Sequence, residues 1–406
     1  MDEQLTFEFA ERTTIKGFPE LRWTGKRPYR STQYYPAQLR ERYGEERDGW
    51  INKIFWGDNL QVMSHLLKEY RGKIDLVYID PPFDSKADYK RKIALKGIGN
   101  TTSDATSFEE KQYGDIWTND EYLQFMYERL MILRELMSDT ASIFVHCDWH
   151  KVHHLRCLMD EIFGSNMFLN EIVWQRTRAA HSDATYFGKV HDTILVYKKG
   201  GQAKFNPLYT EHSEAYLKRF TKEENGRKYM LVPLHGPGQG VARNFFGKII
   251  APPAGRCWPV QSKIDELIAQ NRVELTSNGT PSKKSYLDEN NGNPVSDWWD
   301  DIVPLNPVAS ERTDYPTQKP EQLLERIVEA ATNRGDLVFD CFMGSGTTQS
   351  VAMKLGRRFI GADINLGAIQ TTTKRLINVA SELDGQLQEE LSLIHISEPT
   401  RLQLIS

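Results

Sequence analysis

Several things are scarce in this 406-residue chain, and each scarcity removes a class of protein. There are only four cysteines, Cys147, Cys157, Cys257 and Cys341. No two of them have a C-x-x-C spacing, so neither a disulfide framework nor a zinc site is expected to organise the fold. No apolar run reaches the roughly 18 residues that cross a bilayer, and the opening Met1-Asp2-Glu3 lacks the basic start of a signal peptide. A reduced, cytoplasmic setting is the expectation. A G-x-x-x-x-G-K-[ST] phosphate loop is missing, which argues against ATP-driven translocation. Charge of one sign is missing as well: the net charge is −4.

What is present fits a soluble enzyme-sized chain. The 39% hydrophobic fraction is enough for a sizeable core, and the length allows one large domain with an inserted module. The average charge hides an asymmetry. Lys198 to Lys284 holds fifteen Lys/Arg against seven Asp/Glu, a local +8. That balance suits phosphate contacts, but it equally suits a solvated face.

Residues 1–48 lack periodicity and mix basic with aromatic side chains (Arg22, Trp23, Lys26, Arg27, Tyr29, Arg30, Tyr34, Tyr35). They read as an extension that lays its aromatics on the domain. From 51 onward the pattern is α/β: strand 51–56, helix 59–70, strand 74–79, helix 121–137, strand 141–146, helix 151–163, and strand-like stretches 170–175 and 193–197. Residues 84–118 are polar and read as one long loop. Gly200-Gly201 marks a boundary. The 201–300 stretch, with scattered Pro, Gly and basic residues, reads as a separate recognition module. Order returns in 301–385, with helix 320–333, strand 337–341, helix 348–355, strand 358–362 and helix 366–383. Residues 386–406 end in LSLIHISEPTRLQLIS, fit no amphipathic pattern, and are read as a non-native tail without a role.

Two motifs carry chemistry. Asp80-Pro81-Pro82-Phe83 follows a buried-type strand, and two prolines forbid its continuation, so the tetrapeptide turns outward at a carboxyl strand end. The second is Phe339-Asp340-Cys341-Phe342-Met343-Gly344-Ser345-Gly346-Thr347-Thr348. Here a strand enters a glycine turn, and Thr347 or Thr348 is placed to cap the next helix. Asp363 follows 23 residues after Asp340, a spacing that suits ribose hydroxyls or a plain helix cap. Asp58, in Gly57-Asp58-Asn59, is equally a pocket residue or an N-cap. His146, His150, His153, His154 and Asp148 do not complete a metal set. They read as a helix start capped by Asp148, with histidines facing solvent or polar neighbours.

Taken in order, these segments resemble the amino-methylating DNA methyltransferases, which carry a D/S/N-P-P-Y/F/W catalytic signature and an F-x-G-x-G-like cofactor signature. The order, catalytic motif first, is similar to that family's β arrangement. Ser142 to Asp148, Asn170 to Trp174, His191 to Tyr197 and Tyr315 to Pro320 agree, so the likeness spans about 50–383. It implies a Rossmann-like fold that uses S-adenosylmethionine, with a mixed, mostly parallel sheet, helices on both faces and an inserted recognition module. It implies a catalytic half at 49–200 and a cofactor half at 301–385. Asp80 and the Pro81 carbonyl would hold the target amine, and Phe83 would stack on a flipped base. Asp340, Phe342, Gly344, Ser345, Gly346, Thr347, Thr348 and Asp363 would line the cofactor, with Thr317, Lys319 and Asp58 beside it as cofactor contacts or ordinary turn and cap residues. No metal is expected. Asp rather than Ser at position 80 leans towards adenine N6. Cytosine N4, RNA, or a catalytically silent specificity subunit are the alternatives. No cysteine follows a proline, which disfavours cytosine C5 chemistry. Double-stranded DNA is the implied partner, with a homodimer and a separate restriction endonuclease as further expectations.

Overall fold

The computed structural model describes residues 5–9, 20–46, 48–82, 119–178, 185, 187–306, 309, 311–313, 315–384 and 394–399. Phe83, the 84–118 loop and most of the tail lie outside the described residues. The chain divides into two compact units, Met1–Asn206 with Ser296–Ser406, and Pro207–Val295.

The first unit is built on a ten-stranded sheet. Its strands are β1 (Ala37–Arg42), β2 (Asn52–Trp56), β3 (Ile74–Ile79), β4 (Met137–Cys147), β5 (Phe168–Gln175), β6 (His191–Lys198), β7 (Trp298–Trp299), β8 (Leu337–Asp340), β9 (Arg358–Asp363) and β10 (Ile394–Pro399). Across the sheet the order is β7-β5-β6-β4-β3-β8-β9-β2-β10-β1. Every pair from β4 to β10 is parallel. β6 runs antiparallel to both of its neighbours, and β1 is antiparallel to β10. The unit's helices are α1 (Asn59–Tyr70), α2 (Asn119–Leu136), α3 (Val152–Phe163), α4 (Glu321–Ala331), α5 (Thr347–Lys354) and α6 (Leu366–Asp384).

The parallel strands are apolar on both faces because both are covered. Phe55, Val77, Ile79, Ile143, Val145 and Phe339 form one core with Leu66, Met126 and Leu158 of α1, α2 and α3. Their strand neighbours Ile54, Leu76, Tyr78, Phe144 and Val338 point the other way and are buried too. Each fully buried Leu or Ile contributes about 1.5–3 kcal/mol. The N-terminal extension joins this core through Phe9 and Trp23, and Trp23 donates to Gln124 Oε1 at 3.2 Å.

β4 is longer than the sequence pattern predicts. It starts directly after α2, at Met137, because main-chain pairing with Ile74 extends beyond the apolar stretch. The stretch Ile394–Pro399, in which the sequence pattern shows no element, forms β10 between β2 and β1. A strand inserted by main-chain bonds on both sides needs no amphipathic pattern.

The winding of the sheet fixes where a ligand fits. From β3 the chain passes through α2 to β4 on one side, whereas from β8 it passes through α5 to β9 on the other. β3 and β8 are neighbours, so the reversal falls between them. The crevice at the carboxyl ends of strands flanking such a reversal is where open α/β sheets bind ligands.

A buried cation holds the layers together below that crevice. Arg129 of α2, 5% exposed, donates to Asp58 Oδ2 at 3.0 Å and to Asn59 Oδ1 at 2.6 Å. Asn59 in turn donates to the Cys341 carbonyl at 3.1 Å.

The second unit carries a four-stranded antiparallel sheet in the order Lys222–Glu224, Arg227–Pro233, Pro281–Tyr286, Val273–Leu275. It also holds helix Gln261–Ala269 and a hairpin of Arg243–Phe245 with Lys248–Ile250. Phe245, Trp258, Ile264, Leu267 and Val273 make its core. Strands this short leave little periodicity in the sequence.

Replacing Arg129 with alanine strips a buried charge network of its cation and is expected to cost about 3 kcal/mol. Lysine should not restore it, because one ammonium cannot reproduce the guanidinium fork. Urea unfolding of the three proteins checks both outcomes.

Candidate active site

Four adjacent strands, β3, β8, β9 and β2, each bring an aspartate to the same edge of the sheet: Asp80, Asp340, Asp363 and Asp58. Like charges gathered this way repel, so each carboxylate needs its own partners, and those partners distinguish their roles.

Asp58 caps α1. Its Oδ1 accepts from the Leu60 and Gln61 N–H groups at 2.9 and 3.3 Å, and its Oδ2 is held by Arg129. Both oxygens are thus engaged in building the fold.

Asp340 is 2% exposed. Oδ1 accepts from the Phe342 N–H at 2.9 Å and Oδ2 from the Thr348 hydroxyl at 2.6 Å. Burial pushes its carboxyl up to about 7 despite these two bonds, and the neighbouring Asp80 and Asp363 add to the rise. Asp340 therefore shapes the glycine turn from beneath.

Asp363 reaches the turn from the next strand. Its Oδ2 accepts from the Gly344 N–H and its Oδ1 from the Asn365 N–H, both at 2.8 Å. Gly344 and Gly346 have φ of +53° and +71°, which L side chains rarely adopt. A Cβ on Gly346 would lie 2.4 Å from the Thr372 methyl, and one on Gly344 3.2 Å from the Tyr315 ring. The sequence places Thr347 or Thr348 as the cap of α5, and the structure differs. Gly346 occupies the N-cap position without a side-chain bond, and both threonines lie inside the helix. Their hydroxyls are drawn to buried partners: Thr348 to Asp340, and Thr347 to Ser345 and Arg375, each at 3.0 Å. Phe342, half-buried, lies 6.1 Å from the Phe125 ring.

Asp80 stands apart from the other three. It is paired with Lys319, which comes from the segment before α4. Its other oxygen, Oδ1, is buried and has no hydrogen-bond partner among the described residues. Pro81 is buried and Pro82 half-buried, fixing the main chain that follows. Thr317 lies exposed on the turn ahead of Lys319. The structure thus brings Lys319 to the catalytic motif and leaves Thr317 at the surface.

Sequence reasoning missed the braces. Arg375 donates to the Ser345 carbonyl at 3.3 Å, to Thr347, and to Glu321 at 2.8 Å. Thr372 donates to the Gly344 carbonyl at 3.1 Å. Thr372 and Arg375 are three apart on α6 and buried, so polar residues on a helix's inner stripe were the available signal.

His146 faces polar neighbours, one of the two environments expected, whereas the expected cap by Asp148 needs correcting. His146 is wholly buried on β4. There it meets the Tyr78 hydroxyl at 3.0 Å and Asp192 Oδ2 at 3.3 Å, because the last turn of a central strand is covered from both sides. Asp148 does not cap α3. It binds the N–H and ring of its neighbour His150 instead, and Lys151 holds the N-cap position without a side-chain bond. Among the described residues no group of His, Cys, Asp and Glu is arranged to hold a metal ion.

This edge fits S-adenosylmethionine. Gly344 offers half-buried main chain with no side chain of its own, the Asp363 carboxylate stands beside it for ribose hydroxyls, and the clustered carboxylates give a negative field suited to a sulfonium.

A buried acid with a raised value favours folding while it is protonated. The contribution of Asp340 is complete below its ordinary 3.8 and is lost as pH rises through about 7. The Asp340→Asn variant should therefore gain stability relative to the unchanged protein between about pH 5 and pH 8. Melting curves across that range check the sign.

Comparison with known proteins identifies relatives of the chain. A sequence model of the family described as DNA methylase (N6_N4_Mtase) matches residues 74–374. The chain is 33% identical to the type II methyltransferase M.EcaI of Enterobacter cloacae, over 80% of this chain and 69% of that protein. It is 29% identical to the Mod subunit of the type III restriction-modification enzyme StyLTI of Salmonella typhimurium, over 75% of this chain and half of that protein. Among solved structures, the M1.HpyAVI–SAM complex is 17% identical with a TM-score of 0.41, covering 80% of this chain and 98% of that one. The chain belongs to the DNA methylase family.

Proposed function

We propose that this chain methylates the N6 amine of a flipped adenine in duplex DNA, within a restriction-modification system. The observation that carries the reading is the state of Asp80 at the sheet's point of reversal. One oxygen is held by Lys319, and the other is buried with no partner among the described residues.

An exocyclic amine is a poor nucleophile because its lone pair is delocalised into the ring. An acceptor for one N–H at Asp80 Oδ1, and a second at the Pro81 carbonyl, would hold the nitrogen pyramidal with its lone pair free. Lys319 holds the carboxylate in place, and the prolines fix both acceptors. Such preorganisation lowers the barrier without any movement at the moment of reaction. When bound, S-adenosylmethionine supplies an electrophilic methyl carbon on a sulfonium. Gly344, Gly346 and Asp363 are the residues that would hold it, the glycines through main chain and Asp363 through its remaining lone pairs. Ser345, Thr347, Thr348 and Asp340 support them from within.

Asp rather than Ser at position 80 favours adenine over cytosine N4, as the motif resemblance implies. The second unit would recognise the DNA sequence. A homodimer and a separate endonuclease fit the same reading. Among the described residues no helix is long and apolar enough to cross a membrane.

Incubation with labelled S-adenosylmethionine and mixed-sequence duplex DNA, followed by nucleoside analysis, tests the base. The label should appear as N6-methyladenine. Label on cytosine N4 would keep the enzyme class and overturn the base.

A further inference from the structure

From Asn225 to Ile264 the second unit contains no aspartate or glutamate. Several cations of that unit are taken up by acids. Glu274 binds Lys222, Glu224 binds Lys284, Glu289 binds Arg272, and Asp288 and Glu289 bind Arg227. Inside the acid-free stretch, Arg243, Lys248 and Arg256 have no ion pair among the described residues. The Arg243 Nε is buried with no acceptor among the described residues.

These cations surround a hairpin. Arg243–Phe245 pairs with Lys248–Ile250, leaving a two-residue turn, Phe246-Gly247. The hairpin is anchored firmly. Phe245 is fully buried against Trp258, Trp258 donates to the Ile250 carbonyl at 3.0 Å, and Gln261 bonds both main-chain groups of Asn244 at 2.9 Å. Arg256 lies two residues from Trp258, on the strand paired with Gly236–Pro237.

The turn itself is costly. Both of its residues have positive φ, +53° at Phe246 and +82° at Gly247. Asn, Asp or Gly normally occupies the first position of such a turn, and a bulky aromatic there is strained. Burial does not offset that strain, since Phe246 is 52% exposed and Ile249 is 72% exposed. A strained, exposed aromatic on a rigid mount among unpaired cations has the makings of an apolar wedge for a polyanion.

We propose that the Arg243–Ile250 hairpin is an insertion element for duplex DNA, in which Phe246 enters the base stack or groove and Arg243, Lys248 and Arg256 neutralise the flanking phosphates. The assignment rests on the reading of the chain as a DNA methyltransferase.

The test uses the full chain, a fluorescent mixed-sequence duplex, and binding measured by anisotropy across a salt series. S-adenosylmethionine binding and melting temperature are measured in parallel. The triple variant Arg243→Ala, Lys248→Ala, Arg256→Ala should bind about tenfold or more weakly. Its slope of log K against log salt should fall by roughly 2–3, because each phosphate contact contributes about 0.9. Phe246→Gly relieves the backbone strain, so its melting temperature should hold or rise, while its DNA affinity falls about tenfold at an unchanged salt slope. Phe246→Trp should retain affinity. All variants should bind S-adenosylmethionine as the unchanged protein does. A Phe246→Gly protein that melts higher and binds DNA normally would make the turn a structural accident and overturn the proposal. An unaltered salt slope in the triple variant would do the same. If the unchanged protein binds DNA and the variants behave as stated, yet no methyl is ever transferred, the hairpin assignment stands and the catalytic reading falls.

Discussion

Everything at this site follows from the crowding of four carboxylates along one edge of a parallel sheet. β3, β8, β9 and β2 lie side by side and end at the same level, so Asp80, Asp340, Asp363 and Asp58 share one crevice. Such a cluster survives only if each charge is met. Asp58 is met by a helix N-terminus and Arg129, Asp363 by the N–H groups of Gly344 and Asn365, and Asp340 by Phe342, Thr348 and partial loss of its charge. Of the four, Asp80 keeps an oxygen without a partner among the described residues, because Lys319 satisfies only the other.

That division separates two tasks. The glycine turn and Asp363 present main chain and acceptors to one side of the crevice, braced from below by Arg375, Thr372 and Glu321. Asp80, with Lys319 and Pro81, presents a fixed acceptor to the other. The buried chain of Tyr78, His146 and Asp192 stiffens the strand ends next to Asp80. Burial works against the charge of Asp192, but the hydrogen bond and charge of His146, with Arg176 and Lys319, hold its carboxyl below the usual range. The second unit adds a face of a different chemistry, cationic and apolar together.

Much of this was legible in the sequence, for a simple reason. A parallel strand buried on both faces reads as an apolar run, and the first acid after it marks the carboxyl end. Ile74–Ile79 before Asp80, Leu337–Phe339 before Asp340 and Arg358–Ala362 before Asp363 all follow that rule. The glycine turn was legible because only glycine tolerates the φ and the closeness of Thr372 and Tyr315. Partnerships between distant segments were not legible. Lys319 is 239 residues from Asp80, and no local pattern encodes their meeting. Thr347 and Thr348 have the composition of caps, yet Asp340, Ser345 and Arg375 compete for their hydroxyls and win. The sequence left His146 facing solvent or polar neighbours, and its place on β4 decides for buried ones, Tyr78 and Asp192. The net charge of Lys198–Lys284 left phosphate contacts and a solvated face equally open. In the second unit Lys222, Arg227, Arg272 and Lys284 are ion-paired, whereas Arg243, Lys248 and Arg256, on and beside one hairpin, have no ion pair among the described residues.

The central claim is that Asp80 acts on the amine and not on the cofactor. The most direct test is single-turnover methyl transfer by the Asp80→Asn variant, alongside calorimetric binding of S-adenosylmethionine. Loss of at least about 100-fold in rate, with cofactor affinity within about twofold of the unchanged protein, is the predicted result. Transfer at the normal rate, or a loss explained wholly by weakened cofactor binding, would contradict it.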